Sequence, residues 1–128
     1  MHMNSRYNIC KMMEGGVDVK VNKELLKGST GMLILSLLDQ KEMYGYQLIK
    51  ELERLSEGTF DLKEGTLYPI LHGMETEKWL DSYWEMADGR KRKYYRITDQ
   101  GKRQLQEKKR VWQFFSGAVD RVLGEGPA

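Results

Sequence analysis

The 128-residue chain has little of what many functions require: one cysteine, two histidines and two prolines. Cys10 has no second cysteine to pair with, so no internal disulfide holds the fold. One cysteine beside two histidines is also too few ligands for a closed zinc site. No run approaches the roughly 18 apolar residues that span a bilayer, and no charged-then-apolar leader ends in a cleavage pattern, so the expected location is the cytoplasm, with no membrane partner. Phosphate-cradling loops, nucleophile elbows, metal-ligand spacings and acid–base pairs are missing as well, and Asp39 and Asp81 stand without catalytic company. The chain is expected not to be an enzyme and to need no cofactor or metal.

What is present suits one domain of ordinary size, with 40% hydrophobic and 31% charged residues. The net charge of +2 is unevenly spread. Between Asp88 and Arg110 ten Lys or Arg face three acids, a local net of +7 that leaves −5 for the remainder. Such gathering of one sign steers a protein toward polyanions.

Residues 1–22 show neither a helical nor a strand period and read as a tail or leader, as do residues 125–128. From residue 23 the pattern changes. "KELLKGSTGMLILSLLDQ" is apolar nearly all round in its second half, which predicts a helix buried on more than one side, with Gly28 and Gly31 as weak points or a break. After a short "KEMYG" turn, "GYQLIKELERLSEG" carries Leu48, Ile49, Leu52 and Leu55 at helical spacing and stops at Gly58. "EGTLYPILHGMETEKW" places Leu67, Ile70, Leu71 and Met74 on one face. Pro69 lacks an N–H and fits only near a helix start, so this third helix should begin between Glu64 and Thr66, with Thr66 able to cap it.

The period then switches to two. "LDSYWEM" and "RKYYRIT" flank Asp88-Gly89, a hairpin signal, and predict a two-stranded ribbon with a cationic tip in which Trp84 and Tyr95 are core residues. A last helix opens at Thr98 and closes at Gly124. Along it Leu105, Trp112 and Val119 recur every seven residues, as do Lys108, Phe115 and Val122. So apolar a terminal helix either folds back on its own chain or forms a dimer seam, and the dimer is favoured, with Leu105, Trp112, Phe115, Val119 and Val122 in the interface. The cations at Lys102-Arg103 and Lys108-Lys109-Arg110 read as a mostly solvated helix face.

Helix, helix, helix, basic hairpin, helix is the order of a mainly α winged helix-turn-helix: a DNA-binding domain over residues 23–98 and a dimerisation helix over residues 99–124. In that arrangement the third helix enters the major groove of double-stranded DNA. Arg90, Lys91, Arg92, Lys93 and Arg96 can neutralise phosphates, while Lys63, Gly65 and Thr66 surround a helix start open to phosphate. His72 lies one turn beyond Tyr68 and can face the groove.

Three segments, "YGYQLIKEL" (residues 44–52), "EGTLYPIL" (64–71) and "GRKRKYYRITDQG" (89–101), together resemble the PadR family of bacterial transcriptional regulators. The likeness extends from about Lys27 to Leu123. It implies a winged-helix repressor that dimerises through its C-terminal helix with help from the first, in the short branch with a single C-terminal helix. It places Gly65, Thr66, Leu67 and Tyr68 in the recognition helix, Tyr44, Gly45 and Tyr46 at the start of the preceding one, and Lys93, Tyr94 and Tyr95 on the outgoing wing strand. It also tips Tyr68 from packing toward DNA contact. Lys91 departs from the pattern, because many members carry proline there, and the tip is more basic for it.

Trp112 has two readings: it seals a dimer seam, or it lines a cavity between subunits where a planar aromatic effector stacks, as in some short PadR regulators. The rival to sequence-specific DNA binding is a winged-helix module that uses the same surface for protein or RNA.

Overall fold

The computed structural model describes residues 23–125, and the expected tail at residues 1–22, like residues 126–128, lies outside them. In chain order the elements are α1 (Lys23–Gln40), β1 (Met43–Tyr44), α2 (Gly45–Leu55), α3 (Glu64–Thr76), β2 (Leu80–Ala87), β3 (Arg90–Ile97) and α4 (Asp99–Leu123). The mainly helical winged-helix order is therefore the one expected.

α1 continues through Gly28 and Gly31 without a break. Its second half drives Ile34, Leu35, Leu37 and Leu38 into the centre of the molecule. They meet Leu48 and Leu52 of α2, Leu67, Leu71 and Met74 of α3, Leu80, Tyr95 and Leu105 in one continuous core. The buried hydroxyl of Thr30 donates to the Leu26 carbonyl at 2.5 Å, so it enters this region satisfied.

The expected turn after α1 contains a further strand. β1 pairs antiparallel with β3 through Met43 with Tyr95 and Tyr44 with Tyr94, and the sheet has three strands in the order β1-β3-β2 rather than two. Two residues are too short a run for alternation to be legible. The β2–β3 hairpin closes through Asp88 (φ +53°) and Gly89 (φ +74°), with Ala87 opposite Arg90. Two consecutive positive φ values are those of a type I′ turn, whose twist matches that of the strands.

One side of the hairpin turns Leu80 and Tyr95 inward, and Tyr95 is only 1% exposed. Trp84, on the same side, is 59% exposed and is not a core residue. Strands rise about 3.4 Å per residue, so Trp84 lies about 7 Å beyond Ser82, the residue opposite buried Tyr95, and the core ends between them.

α3 begins at Glu64, but its N-cap is Lys63 and not Thr66; the amides of Thr66 and Leu67 donate to the Lys63 carbonyl at 3.0 and 2.9 Å. Thr66 already lies within the first turn, so its backbone is helical where a cap must be extended. α4 starts as expected: Thr98 Oγ1 accepts from the Gly101 amide at 3.0 Å and donates to the Lys78 carbonyl at 2.7 Å. Gly101 is buried against the Trp79 carbonyl, where a Cβ would collide with backbone. Gly124 ends the helix with φ +76°.

Leu105, expected at a dimer seam, is 1% exposed and belongs to the core of its own chain. α4 changes role along its length: Leu105 in its second turn is buried, whereas Trp112 and Phe115 farther along stay exposed beside α1. Replacing Leu105 with Ala should therefore destabilise the single chain by about 2–5 kcal/mol, and Gly101→Ala by about 1–3 kcal/mol through overpacking. Urea unfolding of both variants checks this, and a Leu105→Ala protein of unaltered midpoint would return that side chain to the surface.

Candidate nucleic-acid interface

Burial of Leu67, Leu71 and Met74 turns the opposite side of α3 outward. Gly65, Thr66, Pro69, His72, Gly73 and Thr76 are exposed there, with Lys63 just ahead of the helix. Pro69 sits in the second turn and has no N–H for the Gly65 carbonyl, at a residue that is itself exposed. The two edges of α3 face different surroundings. Glu64, Tyr68 and His72 line a cleft of 680 Å³ shared with the start of α2 and with the wing. Lys63, Thr66 and Ile70 border a separate groove against α1, and Lys63 pairs with Asp61 at 3.1 Å.

Tyr68 is half-buried, with its hydroxyl end against Gly45, the first residue of α2. A Cβ at Gly45 would overlap that ring, so the "YGY" and "TLY" segments are complementary surfaces of one helix–helix contact. Burial, reinforced by the nearby Glu64 carboxylate, pushes the Tyr68 hydroxyl above its ordinary pKa, and it remains protonated. Tyr68 thus packs α3 on α2 while also lining the cleft. At the start of α2 the Tyr44 amide donates to Gln47 Oε1 at 3.1 Å, while Tyr46 is exposed beside Lys50.

The wing divides its cations into two classes. Arg92 lies over the Tyr44 ring at 4.4 Å, donates to the Tyr44 hydroxyl and approaches Asp88 at 4.0 Å. On the same face Tyr94 stands edge-on to Tyr44 and stacks on Tyr83 at 5.5 Å. Arg96 closes this row, 5.1 Å from the Tyr83 ring and 3.5 Å from Asp81. A hydrogen bond from the Tyr83 hydroxyl to Glu42, at 2.5 Å, raises that phenol to about 12 and ties the wing to the loop after α1.

On the other face Lys93 Nζ donates to Glu75 Oε1 at 3.2 Å, and Ser82 Oγ donates to Glu75 Oε2 at 2.5 Å. Burial pushes the Glu75 carboxyl up, but these two bonds outweigh it and hold the group below the usual carboxylate range. Lys93 is the mirror case: burial lowers it, and Glu75 together with the Tyr95 hydroxyl more than restores it. Arg92 and Lys93 are thus half-buried and paired within their own chain, while still lining the cleft. Arg90 and Lys91 are exposed at the tip, and among the described residues neither has an acidic partner. In the sequence all four look alike, since charge density carries no information on which side of a strand is occupied.

The structure adds Tyr46 and Trp84 to the cleft that Tyr44, Tyr68, His72 and the wing cations share. Tyr46 is legible in the sequence only as part of the "YGY" segment. Trp84 is masked by strand alternation, which puts it on the core side.

At the opposite end, α4 leaves Trp112, Phe115, Val119 and Val122 exposed, Val122 by 88%. Trp112 and Phe115, their rings 6.4 Å apart, line a groove of 510 Å³ together with Leu25 and Met32 of α1.

The sequence profile of the PadR-like transcriptional regulator family matches residues 34–107, from the second half of α1 through the first turns of α4. The chain belongs to this family. As a PadR-family member it is 34% identical over 89 residues to the transcriptional regulator Rv3488 of Mycobacterium tuberculosis, covering 70% of this chain and 80% of that protein. Its fold is similar to the crystal structure of a PadR-like transcriptional regulator from Bacillus cereus, with a TM-score of 0.70, 38% identity, and 79% and 97% of the two chains covered. A transcriptional regulator from Clostridium thermocellum superposes with a TM-score of 0.73 at 27% identity, over 77% and 97% of the chains. The resemblance carried by the three sequence segments is confirmed, and the chain is a transcriptional regulator of the PadR-like family. No described helix is long and apolar enough to cross a membrane.

The clasp between Glu75 and Lys93 should be measurable. A double-mutant cycle with Glu75→Gln and Lys93→Met is expected to give a coupling of about 1 kcal/mol, between the values of exposed and buried pairs. Because Glu75 is depressed in the folded state, its share is full above about pH 4.3 and fades as pH falls through the lower folded value. Because Lys93 is raised, its share is full below about pH 10.4 and fades as pH rises through the higher folded value. A coupling unchanged at pH 3 would show that the pair contributes nothing through its charges.

Proposed function

We propose that the protein is a homodimeric, sequence-specific DNA-binding regulator that represses transcription in the cytoplasm and is released by a planar aromatic effector. The observation that carries this reading is the single cleft joining the outward edge of α3 to the wing, with Arg90 and Lys91 exposed at its rim. A helix stripped of large apolar groups on one side, beside a cationic hairpin, fits a major groove flanked by phosphates. Residues 23–98 form the DNA-binding unit in this reading, and α4 is the dimerisation helix.

The dimer is supported by the exposed side chains of Val111, Trp112, Phe114, Phe115 and Val122, which continue onto Leu25 of α1. A contiguous apolar face of this kind asks for a cover. With Leu105 inside its own chain, the seam comprises the later turns of α4 and the first turns of α1. Trp112 and Phe115 together offer a wall for a flat ring. Two recognition helices must lie about 34 Å apart to enter successive major grooves. An effector that favours another spacing lowers operator affinity, and DNA weakens the effector by the same factor.

A gel shift with the DNA upstream of the protein's own gene tests the central claim: specific retardation is expected, and binding that does not distinguish this duplex from random DNA would defeat it. Neutralising Arg90 and Lys91 together should weaken binding to all sequences and lower the salt slope by roughly one for each phosphate left unneutralised. Phe115→Glu should give monomer or insoluble chain, because the dimer would bury an unpaired charge; sedimentation of wild type as a monomer at micromolar concentration would refute the seam. Trp112→Phe should remove most of the fluorescence quenching produced by flat dyes while the dimer persists.

A further inference from the structure

The wing carries an exposed apolar pair that neither the core nor the later turns of α4 uses. Trp84 is 59% and Met86 64% exposed, and both project from β2 on the side of the hairpin that faces α3. Their cross-strand partners are cations, Trp84 opposite Lys93 and Met86 opposite Lys91. Lys91 Nζ lies 5.7 Å from the centre of the Trp84 ring, a distance at which a cation is attracted to the indole face. The indole lines the cleft with Tyr68 and His72, so whatever occupies the cleft meets it.

The surroundings select the occupant. The rim beside Trp84 carries Arg90 and Lys91 without acidic partners among the described residues, so the partner is anionic. Its surface must also offer apolar area close to the charge, because an exposed indole beside the Lys91 ammonium gains little from a uniformly polar partner. Duplex DNA alternates charged phosphates with the C–H faces of deoxyribose, and apolar side chains, Met among them, are used by other proteins against the minor-groove side of DNA. We propose that Trp84, backed by Met86, is an apolar DNA contact on the wing, packing on deoxyribose beside the phosphates attracted by Arg90 and Lys91. This rests on the DNA-binding reading above and deepens it: the wing contributes a component that salt does not screen.

The test compares wild type, Trp84→Ala, Trp84→Phe and Arg90→Gln on a fluorescently labelled duplex from the protein's own upstream region, by anisotropy at several salt concentrations. Trp84→Ala should weaken binding about tenfold at every salt concentration with the slope unchanged, because no counterion is released by an apolar contact. Trp84→Phe should keep most of the affinity, and Arg90→Gln should lower the slope by about one. In parallel, fluorine NMR of protein carrying 5-fluorotryptophan reads the site directly. The Trp84 resonance, identified by its loss in Trp84→Phe, should lose its sensitivity to exchange of H2O for D2O when DNA binds, while the Trp79 resonance does not change. Trp84→Ala binding within twofold of wild type, or a Trp84 resonance that stays solvent-sensitive in the complex, overturns the contact and leaves the DNA-binding reading standing. Shielding of Trp84 that grows with protein concentration without DNA assigns the patch to a second copy and also overturns it. Absence of binding by wild type defeats the functional reading and this inference together.

Discussion

Leu67, Leu71 and Met74 fill the centre of the molecule from one side of α3, and their burial sets the rotation of that helix about its own axis. Everything proposed for the interface depends on this. With those three inside, Thr66, Pro69, His72 and Gly73 can only face outward, and Tyr68 falls at the border. A helix rotated by one residue would bury a histidine or a threonine and expose a leucine, so the packing of α3 and its outward chemistry are a single constraint. Gly45 completes it, because the Tyr68 ring occupies the space where a Cβ would be and thereby holds α2 and α3 at a fixed approach.

Attachment of the wing obeys a different logic, built on charge and aromatic faces instead of aliphatic burial. Glu75 holds Lys93 on one side of the hairpin, while Tyr44, Tyr94 and Tyr83 form a row on the other, bounded by Arg92 and Arg96. Cations in the middle of β3 are therefore paired within the chain and brace the wing, while Arg90 and Lys91 at the tip have no acidic partner among the described residues. A ribbon that extends beyond its core can hold an orientation only if such contacts brace its base. Density of charge in the sequence thus does not distinguish cations paired within the chain from those without an acidic partner.

α4 shows the same division along a single helix. Its first turns are clamped by Thr98, by the contact of Gly101 with the Trp79 carbonyl and by burial of Leu105, so they belong to the chain's own fold. Beyond Lys108 the large apolar side chains are covered only in part by their own chain. The heptad recurrence of Leu105, Trp112 and Val119 runs across this boundary without marking it, and for that reason periodicity alone puts Leu105 in the seam.

By itself the sequence determined the four helices, the position of the Asp88-Gly89 turn, the Thr98 and Gly124 helix ends and the family. Each of these is local: a period of 3.6 or 2, a backbone conformation that glycine tolerates, or a cap within three residues, together with motifs that stand contiguous in the chain. Only the tertiary structure decided that β1 joins the sheet, that Lys63 and not Thr66 precedes α3, that Trp84 is exposed while Tyr95 is buried, and that Arg92 and Lys93 find partners within the chain. Those outcomes depend on where the core ends and on which acid or ring lies opposite a given side chain. Alternation places Trp84 and Leu80 on the same side of a strand. The depth of the core beneath that strand, which no local pattern encodes, leaves one in water and the other out of it.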